Sequence, residues 1–478
     1  MKNRRSARRP KTLAVAGALF VSLLAGAAGA FAQSISGTPA AASYVPGIKD
    51  QDNFGSRVAE VGDGMVLVGA NTAEGPPGIY AGAAYLFDAG GVLLHTFANP
   101  TPADYDSFGG AVARVGTDKV LIGAWGDDTA GFGAGAAYLF SLNGDLLKTF
   151  TDPHSGGEHT FGFSVAAVGS DKVVIGAHED DTGAQDAGSA YLFSTSGALL
   201  KTFANPAPAL NDNFGSAVTA VGVDRVLIGA RFDGSGALRP GMAYLFNIDG
   251  TLLKTFNSPL AAKGEVFGAA VASAGSDRVL IGAPQNNDGN TGSGTAYLLS
   301  TGGSLLKTFG NPAPARGDAF GFSVAAVGRD RVLIGALTDT AGASASGAAH
   351  FFTTGGTLLK TFSSPSPVAY GGFGYGLAAL GTDRLLIGST SGAPGAPLAG
   401  VVYRFDLPFP PLEIARPGAP VVLSWPAGEV GYQLQQSTGL SAADSWMPVV
   451  QPATTAGGRV SVEVPISVER LFFRLKAF

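Results

Sequence analysis

Apolar residues along this chain come in short runs of six to nine, closed by Gly, Asp, Asn or Ser. Residues 320–362 show the pattern in full: "FGFSVAAVG", "RVLIGA", "GAAHFF" and "TLLKTF". The runs are rich in β-branched, leucine and aromatic residues and are too short for helices, so each predicts a β-strand. The first two are separated only by G-x-D-[KR], with Asp118, Asp171, Asp224, Asp277, Asp330 and Asp383 in turn. Asp at such a position suits a tight turn. A similar polar turn, as in "SLNGDL", separates the last two. Each such group of four runs predicts a four-stranded antiparallel meander.

The group recurs. Phe-Gly pairs begin at Phe54, Phe108, Phe161, Phe214, Phe267, Phe320 and Phe373, spaced 54 once and then 53 five times. Tyr85, Tyr138, Tyr191, Tyr244, Tyr297, His350 and Tyr403 keep a constant period of 53. Pro46, Pro100, Pro153, Pro206, Pro259, Pro312 and Pro365 each stand eight residues before a repeat Phe. One sheet cannot bury both of its faces alone, but seven packed face to face around an axis can. A four-stranded unit repeated at this period therefore predicts an all-β fold, a seven-bladed β-propeller. A solenoid is the rival, with usually shorter repeats.

The ring must close. The seventh unit has three strands, ending at "VVYRFD", and lacks an "LLKTF". In register, "PAAAS" at residues 39–43 falls where that strand would lie, so the N-terminal segment is expected to complete the last blade. "PLEI" at 411–414 is the alternative.

Composition then changes the picture at the ends. Residues 1–32 begin with Lys2, Arg4, Arg5, Arg8, Arg9 and Lys11, continue with an apolar run from Leu13 to Ala30, and end in Ala30-Phe31-Ala32. This order predicts a secretory signal peptide cleaved before Gln33, with an uncleaved anchor as the alternative. Six of the 31 basic residues and none of the 36 acidic ones lie in it, so its removal leaves a formal charge of −11. An acidic chain without a basic cluster argues against a nucleic-acid partner. No later apolar run is long enough to span a bilayer. Gly supplies 71 of the 478 residues, which suits many turns, and the absence of Cys excludes disulfides and thiolate metal sites.

"FGFSVAAVGRDRVLIGA" followed by "GAAHFF" resembles the FG-GAP repeats of integrin α-subunits and their bacterial relatives. The resemblance runs from Phe54 to Phe405 and implies a seven-bladed propeller serving adhesion or ligand binding. The chain departs from the pattern in two ways. Only the fifth unit keeps Pro after "GA", as Pro284. Some family members also carry a D-x-D-x-D-G calcium loop between the first two strands. Here that loop is a four-residue turn with too few oxygen ligands, so no calcium site is carried over.

The expected organisation is a signal peptide (1–32), the propeller (33–406), a Pro-rich linker (407–420) and a small β-sandwich (421–478). The sandwich is read from "PVVLSWPA", "GYQLQQST", "SWMPVVQ", "RVSVEVPI" and "RLFFRLKAF" and resembles fibronectin-type-III-like modules of secreted bacterial proteins. Trp425 and Trp446 fit its core better than a ligand platform.

Candidate chemistry is sparse. There is no G-x-S-x-G, H-E-x-x-H or phosphate loop, and no catalytic set or cofactor is expected. His350 takes the place of a repeat Tyr and reads as a strand residue; His95 replaces a repeat Lys and reads as solvent-facing. His154, His159 and His178 are weak metal candidates in the third unit, near Asp152, Glu158, Glu179, Asp180 and Asp181. Two residues before the repeat Phe stand Asp52, Asp106, Asp212, Glu265 and Asp318, and this recurrence reads as structural. Loops from the second to the third strand vary most, and variable loops on a rigid scaffold usually carry binding. Their acids Asp127, Asp128, Asp180, Asp181 and Asp233 are the candidate ligand contacts. The expected function is a monomeric, secreted or cell-surface binding or adhesion module for an extracellular protein or glycan. The alternatives are a polysaccharide lyase or glycosidase using the same acids, which would need two facing carboxylates, and a purely structural envelope protein.

Overall fold

A computed structural model describes residues 20–23, 41–43, 52–74, 79–154, 157–234, 239–260, 264–285, 292–340, 343–393, 399–407, 413–416, 421–426, 432–437, 446–456, 459–465 and 470–477. Among these residues all regular structure is strand, arranged in nine four-stranded sheets. Seven of the sheets belong to one unit, residues 33–408, and two to another, residues 1–32 with 409–478.

Six of the seven sheets are the chain-order meander expected from the sequence. In the second repeat the strands are Phe108–Val115, Lys119–Ala124, Ala136–Ser141 and Leu146–Thr151, paired antiparallel in chain order. The register sets Val112 opposite Ile122, Ile122 opposite Tyr138 and Tyr138 opposite Thr149. Burial explains why the middle strands are almost wholly apolar. In Arg225–Ala230 every residue after the first is buried, because a neighbouring sheet covers each face. The fourth strand is the rim: in Leu199–Ala204 only Phe203 is buried, while Leu199 and Leu200 stay exposed. Adjacent sheets share their cores. Val168, Val174, Leu192 and Phe203 of the third sheet pack with Phe214, Val226, Ile228 and Tyr244 of the fourth.

The Phe-Gly pair sits on that seam. Phe214 donates its backbone N–H to the Ala187 carbonyl of the preceding sheet at 2.9 Å, and Phe108, Phe161, Phe267, Phe320 and Phe373 do the same one repeat apart. The Gly215 carbonyl lies against Gly176, the glycine of "GA" in the preceding sheet, so closely that a Cβ on Gly176 would collide with it. The same pairing joins Gly123 to Gly162, Gly229 to Gly268, Gly282 to Gly321 and Gly335 to Gly374. Turn glycines serve the rim in a similar way: Lys148, Lys201, Lys254 and Lys307 each lie over a glycine in the next sheet's last turn. His95 takes the same place against Gly144 and packs its ring on Phe97, with centroids 4.7 Å apart. The solvent-facing role expected of His95 is therefore corrected: this position closes over the neighbouring turn.

The ring closes by the same contacts. Gly388 of the last sheet meets the Gly55 carbonyl of the first, and Gly400 meets that of Phe54. One core cluster joins Phe54, Val66, Val68 and Phe87 to Leu385, Ile387, Val401 and Phe405. Ala41–Ser43 supplies the fourth strand of the last sheet, with Ala42 opposite Tyr403. The G-x-D-[KR] turns also link neighbours, since Arg225 donates to the Ser276 carbonyl at 2.6 Å and Arg331 to that of Thr382 at 2.8 Å.

The other unit has one sheet of Glu413–Arg416, Val421–Pro426, Arg459–Val464 and Ala453–Ala456. Its second sheet holds Phe20–Leu23, Arg470–Ala477, Tyr432–Ser437 and Met447–Pro448. Val421, Leu423, Trp425 and Val462 share a core with Leu434, Phe473 and Leu475. Two features differ from expectation. Glu413–Arg416 lies within the segment read as linker and pairs with Val422–Ser424. Phe20–Leu23, within the segment read as a signal peptide, runs parallel to Arg470–Phe473. Cleavage before Gln33 would leave that sheet with three strands.

The glycine seam gives a direct test. A Cβ at Gly282 would meet the Gly321 backbone, whereas one at Gly310 has nothing within 4 Å. Gly282→Ala should therefore destabilise the chain by about 1–3 kcal/mol or more, the usual cost of overpacking. Gly310→Ala should stay within about 0.5 kcal/mol. Urea unfolding of the two variants measures both, and equal midpoints would contradict the seam.

Candidate functional site

In the propeller unit the loops from fourth to first strand and from second to third strand approach one another on one face. Three of the repeats build the same buried polar set there. In the fourth, the Asn205 amide donates to Asp212 at 2.9 Å and to Asp233 at 3.1 Å, and the Tyr244 hydroxyl donates to Asp233 at 2.5 Å. In the sixth, Asn311 donates to Asp318 at 2.7 Å and Asp339 at 3.0 Å, with His350 in the tyrosine position. In the second, Asn99 donates to Asp106 at 2.6 Å, and Tyr138 to Asp127 at 2.5 Å. The acids before each Phe also cap their loop: the Ala103, Ala209 and Ala315 amides donate to Asp106, Asp212 and Asp318. These side chains are buried and hold the two loops together.

The candidate ligand acids separate on this basis. Asp127, Asp180 and Asp233 are buried and occupied by internal donors, including Thr129 N–H at 2.8 Å and Thr182 N–H at 2.8 Å. An outside ligand could reach Asp127 and Asp233 only by taking those partners away, so these two are structural, whereas Asp180 also faces His154. Asp128 and Asp181 point outward, each accepting one loop amide, from Gly133 at 2.6 Å and Asp186 at 2.9 Å. Of the paired acids in "DD", the first therefore faces in and the second faces water.

The three histidines divide as well. His154 and His159 come together with Asp152, Asp180 and Tyr191. His159 Nδ1 contacts Asp152 Oδ2, and His154 Nδ1 lies 2.7 Å from the Tyr191 hydroxyl and 3.4 Å from Asp180 Oδ2. Asp152, His159 and Asp180 each offer one ligand atom within 4.8 Å of the others. His178 has different partners: Thr160 at 2.8 Å and the Phe163 ring, with centroids 4.0 Å apart. Burial, aided by the Arg231 charge, pushes its pKa down to about 3, so it stays neutral.

Sequence reasoning missed the exposed apolar residues of this face. Tyr105, Phe132 and Tyr370 are 59%, 75% and 76% exposed, and Ile79, Leu210 and Leu260 join them in the same loops. Tyr105 and Tyr370 hold φ of +67° and +59°, a region that costs a non-Gly residue roughly 1–3 kcal/mol. Asn211, Gly264 and Gly317 fill the equivalent positions in other repeats, with φ of +59°, +67° and +81°. That position three residues before the repeat Phe was the available signal: a tyrosine where the backbone favours Gly or Asn.

Comparison with known proteins agrees with the repeat. The FG-GAP repeat family matches residues 48–87, 101–140, 150–193, 261–299 and 314–352. Five of the seven repeats thus resemble FG-GAP repeats. Among solved structures, the C-terminal WD40 domain of Sif2 aligns with a TM-score of 0.44 at 11% identity, covering 74% of this chain and 81% of that one. The Pan2 WD40 domain of Neurospora crassa gives 0.45 at 10%, covering 73% and 88%. BamB from Moraxella catarrhalis gives 0.39 at 13%, covering 74% and 85%. No curated protein sequence matches the chain. An FG-GAP propeller suits a binding or structural role. Among the described residues no helix is long and apolar enough to cross a membrane.

The buried acids carry a pH signature. Burial, with help from the nearby Asp127 charge, pushes Asp106 up to about 6; burial and the Asp233 charge do the same to Asp212. Between the ordinary value of 3.8 and about 6 the folded chain keeps protons that the unfolded chain has released. These two groups therefore lower stability as pH rises through that window and change nothing above it. Asp106→Asn with Asp212→Asn should flatten this part of a stability–pH curve. A curve that falls between pH 4 and 6 as steeply as wild type would contradict the assignment.

Proposed function

We propose that the chain is an exported, monomeric binding or adhesion module whose ligand, an extracellular protein or glycan, meets the face built from the fourth-to-first and second-to-third loops. The observation that carries this reading is the pair Tyr105 and Tyr370, held exposed in a backbone conformation that tyrosine resists. Folding alone favours glycine there, as at Gly264 and Gly317. Exposed aromatic side chains on a rigid scaffold are typical anchors of binding surfaces. Tyr80 and Tyr105 pack edge to face, with centroids 5.7 Å apart, and extend this aromatic surface. Asp128 and Asp181 add negative charge beside it. The opposite face carries the short G-x-D-[KR] turns and the third-to-fourth turns bonded to them, as Ile248 is to Asp224, and folding already explains their repetition. Export is supported by the basic, apolar and Ala30-Phe31-Ala32 order of residues 1–32, and extracellular work suits FG-GAP repeats.

Labelled chain on arrays of glycans and of immobilised surface proteins tests the reading. Tyr105→Gly with Tyr370→Gly should raise stability and lower the array signal at least about tenfold, the loss of 1.4 kcal/mol or more. Asp224→Ala with Asp277→Ala, on the turn face, should leave it unchanged. Binding lost only in the turn-face variant would overturn the assignment, and absence of any signal would favour a purely structural protein.

A further inference from the structure

From the third repeat's polar set we infer a binding site for one divalent transition-metal ion, of the kind that accepts mixed imidazole and carboxylate ligands, formed by Asp152, His159 and Asp180 with His154 on its exposed side. The sibling repeats show what this place looks like when it is only structural. There an asparagine bridges two aspartates, as Asn205 does for Asp212 and Asp233. In the third repeat three positions change together. Asp152 stands where the siblings have Asn99, Asn205 and Asn311, and His159 where they have Asp106, Asp212 and Asp318. His154 stands where they have Thr101, Ala207 and Ala313. A simple exchange of donor and acceptor would need only the first two changes. The third adds another imidazole at the same point.

The carboxylates are aimed. Asp152 Oδ1 accepts the His154 N–H at 2.8 Å, and Asp180 Oδ1 accepts the Thr182 N–H at 2.8 Å. Each carboxylate thus spends one oxygen on the backbone and turns Oδ2 inward. The inward atoms are those of Asp152, Asp180 and His159, all within 4.8 Å of one another, with His154 Nδ1 3.4 Å from Asp180 Oδ2 and 2.7 Å from the Tyr191 hydroxyl on the exposed side. Asp152, His159 and Asp180 are buried, while the His154 side chain is 48% exposed, so the site opens to solvent on one side. An imidazole nitrogen beside two carboxylate oxygens, with a second imidazole at the open side, suits Zn²⁺ and its neighbours in the first transition row rather than Ca²⁺ or Mg²⁺. A bound dication would also offset the charges of Asp180 and of Asp152, which stands where the siblings have the neutral asparagine.

The test uses full-length chain without a histidine tag, stripped with EDTA, dialysed and titrated with Co²⁺, whose visible bands report a low-coordinate site with nitrogen ligands. Wild type should take up one equivalent, and added Zn²⁺ should remove the bands. Asp152→Asn with His159→Asp rebuilds the fourth repeat's set and should fold, yet bind Co²⁺ at least about 100-fold more weakly, beyond the cost of an outer-sphere change. His154→Ala puts at the exposed position the residue that two siblings carry, so it should fold whatever the fate of the double variant, and it should weaken binding about tenfold or more. Wild type that binds no Co²⁺, or binds it no better than the double variant, would reduce the cluster to hydrogen bonding and overturn the site. Binding unchanged by His154→Ala would overturn the part given to His154 at the open side.

Discussion

The propeller depends on how closely two backbones approach at each seam between sheets. The carbonyl of the Phe-Gly glycine rests on the "GA" glycine of the sheet before it, as Gly215 does on Gly176 and Gly55 does on Gly388. A side chain at the "GA" position would hold the sheets apart, and the phenylalanine beside each contact would lose the core that two sheets share. Because the same contact recurs at every seam, a sheet that fits one neighbour fits the next, and the last fits the first. The N–H of Phe108, Phe161, Phe214, Phe267, Phe320 and Phe373 ties each of these seams with a hydrogen bond across it. Packing, hydrogen bonding and ring closure therefore meet at two glycines per repeat.

This constraint made the fold legible in the sequence. A strand pattern alone would have given strands of uncertain partnership, but a fixed period of Phe-Gly, "GA" and Tyr assigns each strand to a sheet. Strand closure at Ala41–Ser43 could be reached because register arithmetic needs no similarity of side chains. What periodicity could not give was contact between repeats. His95 looked like a surface residue because its own strand faces solvent, yet its ring covers a turn glycine one sheet away. The segment "PLEI" offered a strand for the last sheet, but Glu413–Arg416 pairs with Val422–Ser424, a partner that register within the repeats could not supply.

The candidate site was only half legible, for a related reason. Acids in variable loops read as ligand contacts, but a carboxylate's direction depends on what the adjacent loop offers. Asp127 and Asp128 are neighbours in sequence, and one is sealed under Tyr138 while the other faces water. A spacing of 11 residues from acid to tyrosine, kept at Asp127 and Asp233, was the sign that these inward acids belong to the scaffold. Departures from a repeat are the better guide to function, because folding explains whatever is kept. Tyr105, Tyr370, His154 and His159 are all such departures.

The central claim is that the seam bonds form part of the same cooperative structure as the sheets themselves. Hydrogen exchange of the native chain, read residue by residue, tests it most directly. The amides of Phe108, Phe161, Phe214, Phe267, Phe320 and Phe373 lie outside the ladder of their own sheet on the donor side and bond only across the seam. If the seam is integral, they should exchange as slowly as those of Ile122 or Val174 in the buried second strands, opening only with global unfolding. Exchange as fast as in the exposed turns, while the second strands stay protected, would show that the sheets fold without the seam and would contradict the account.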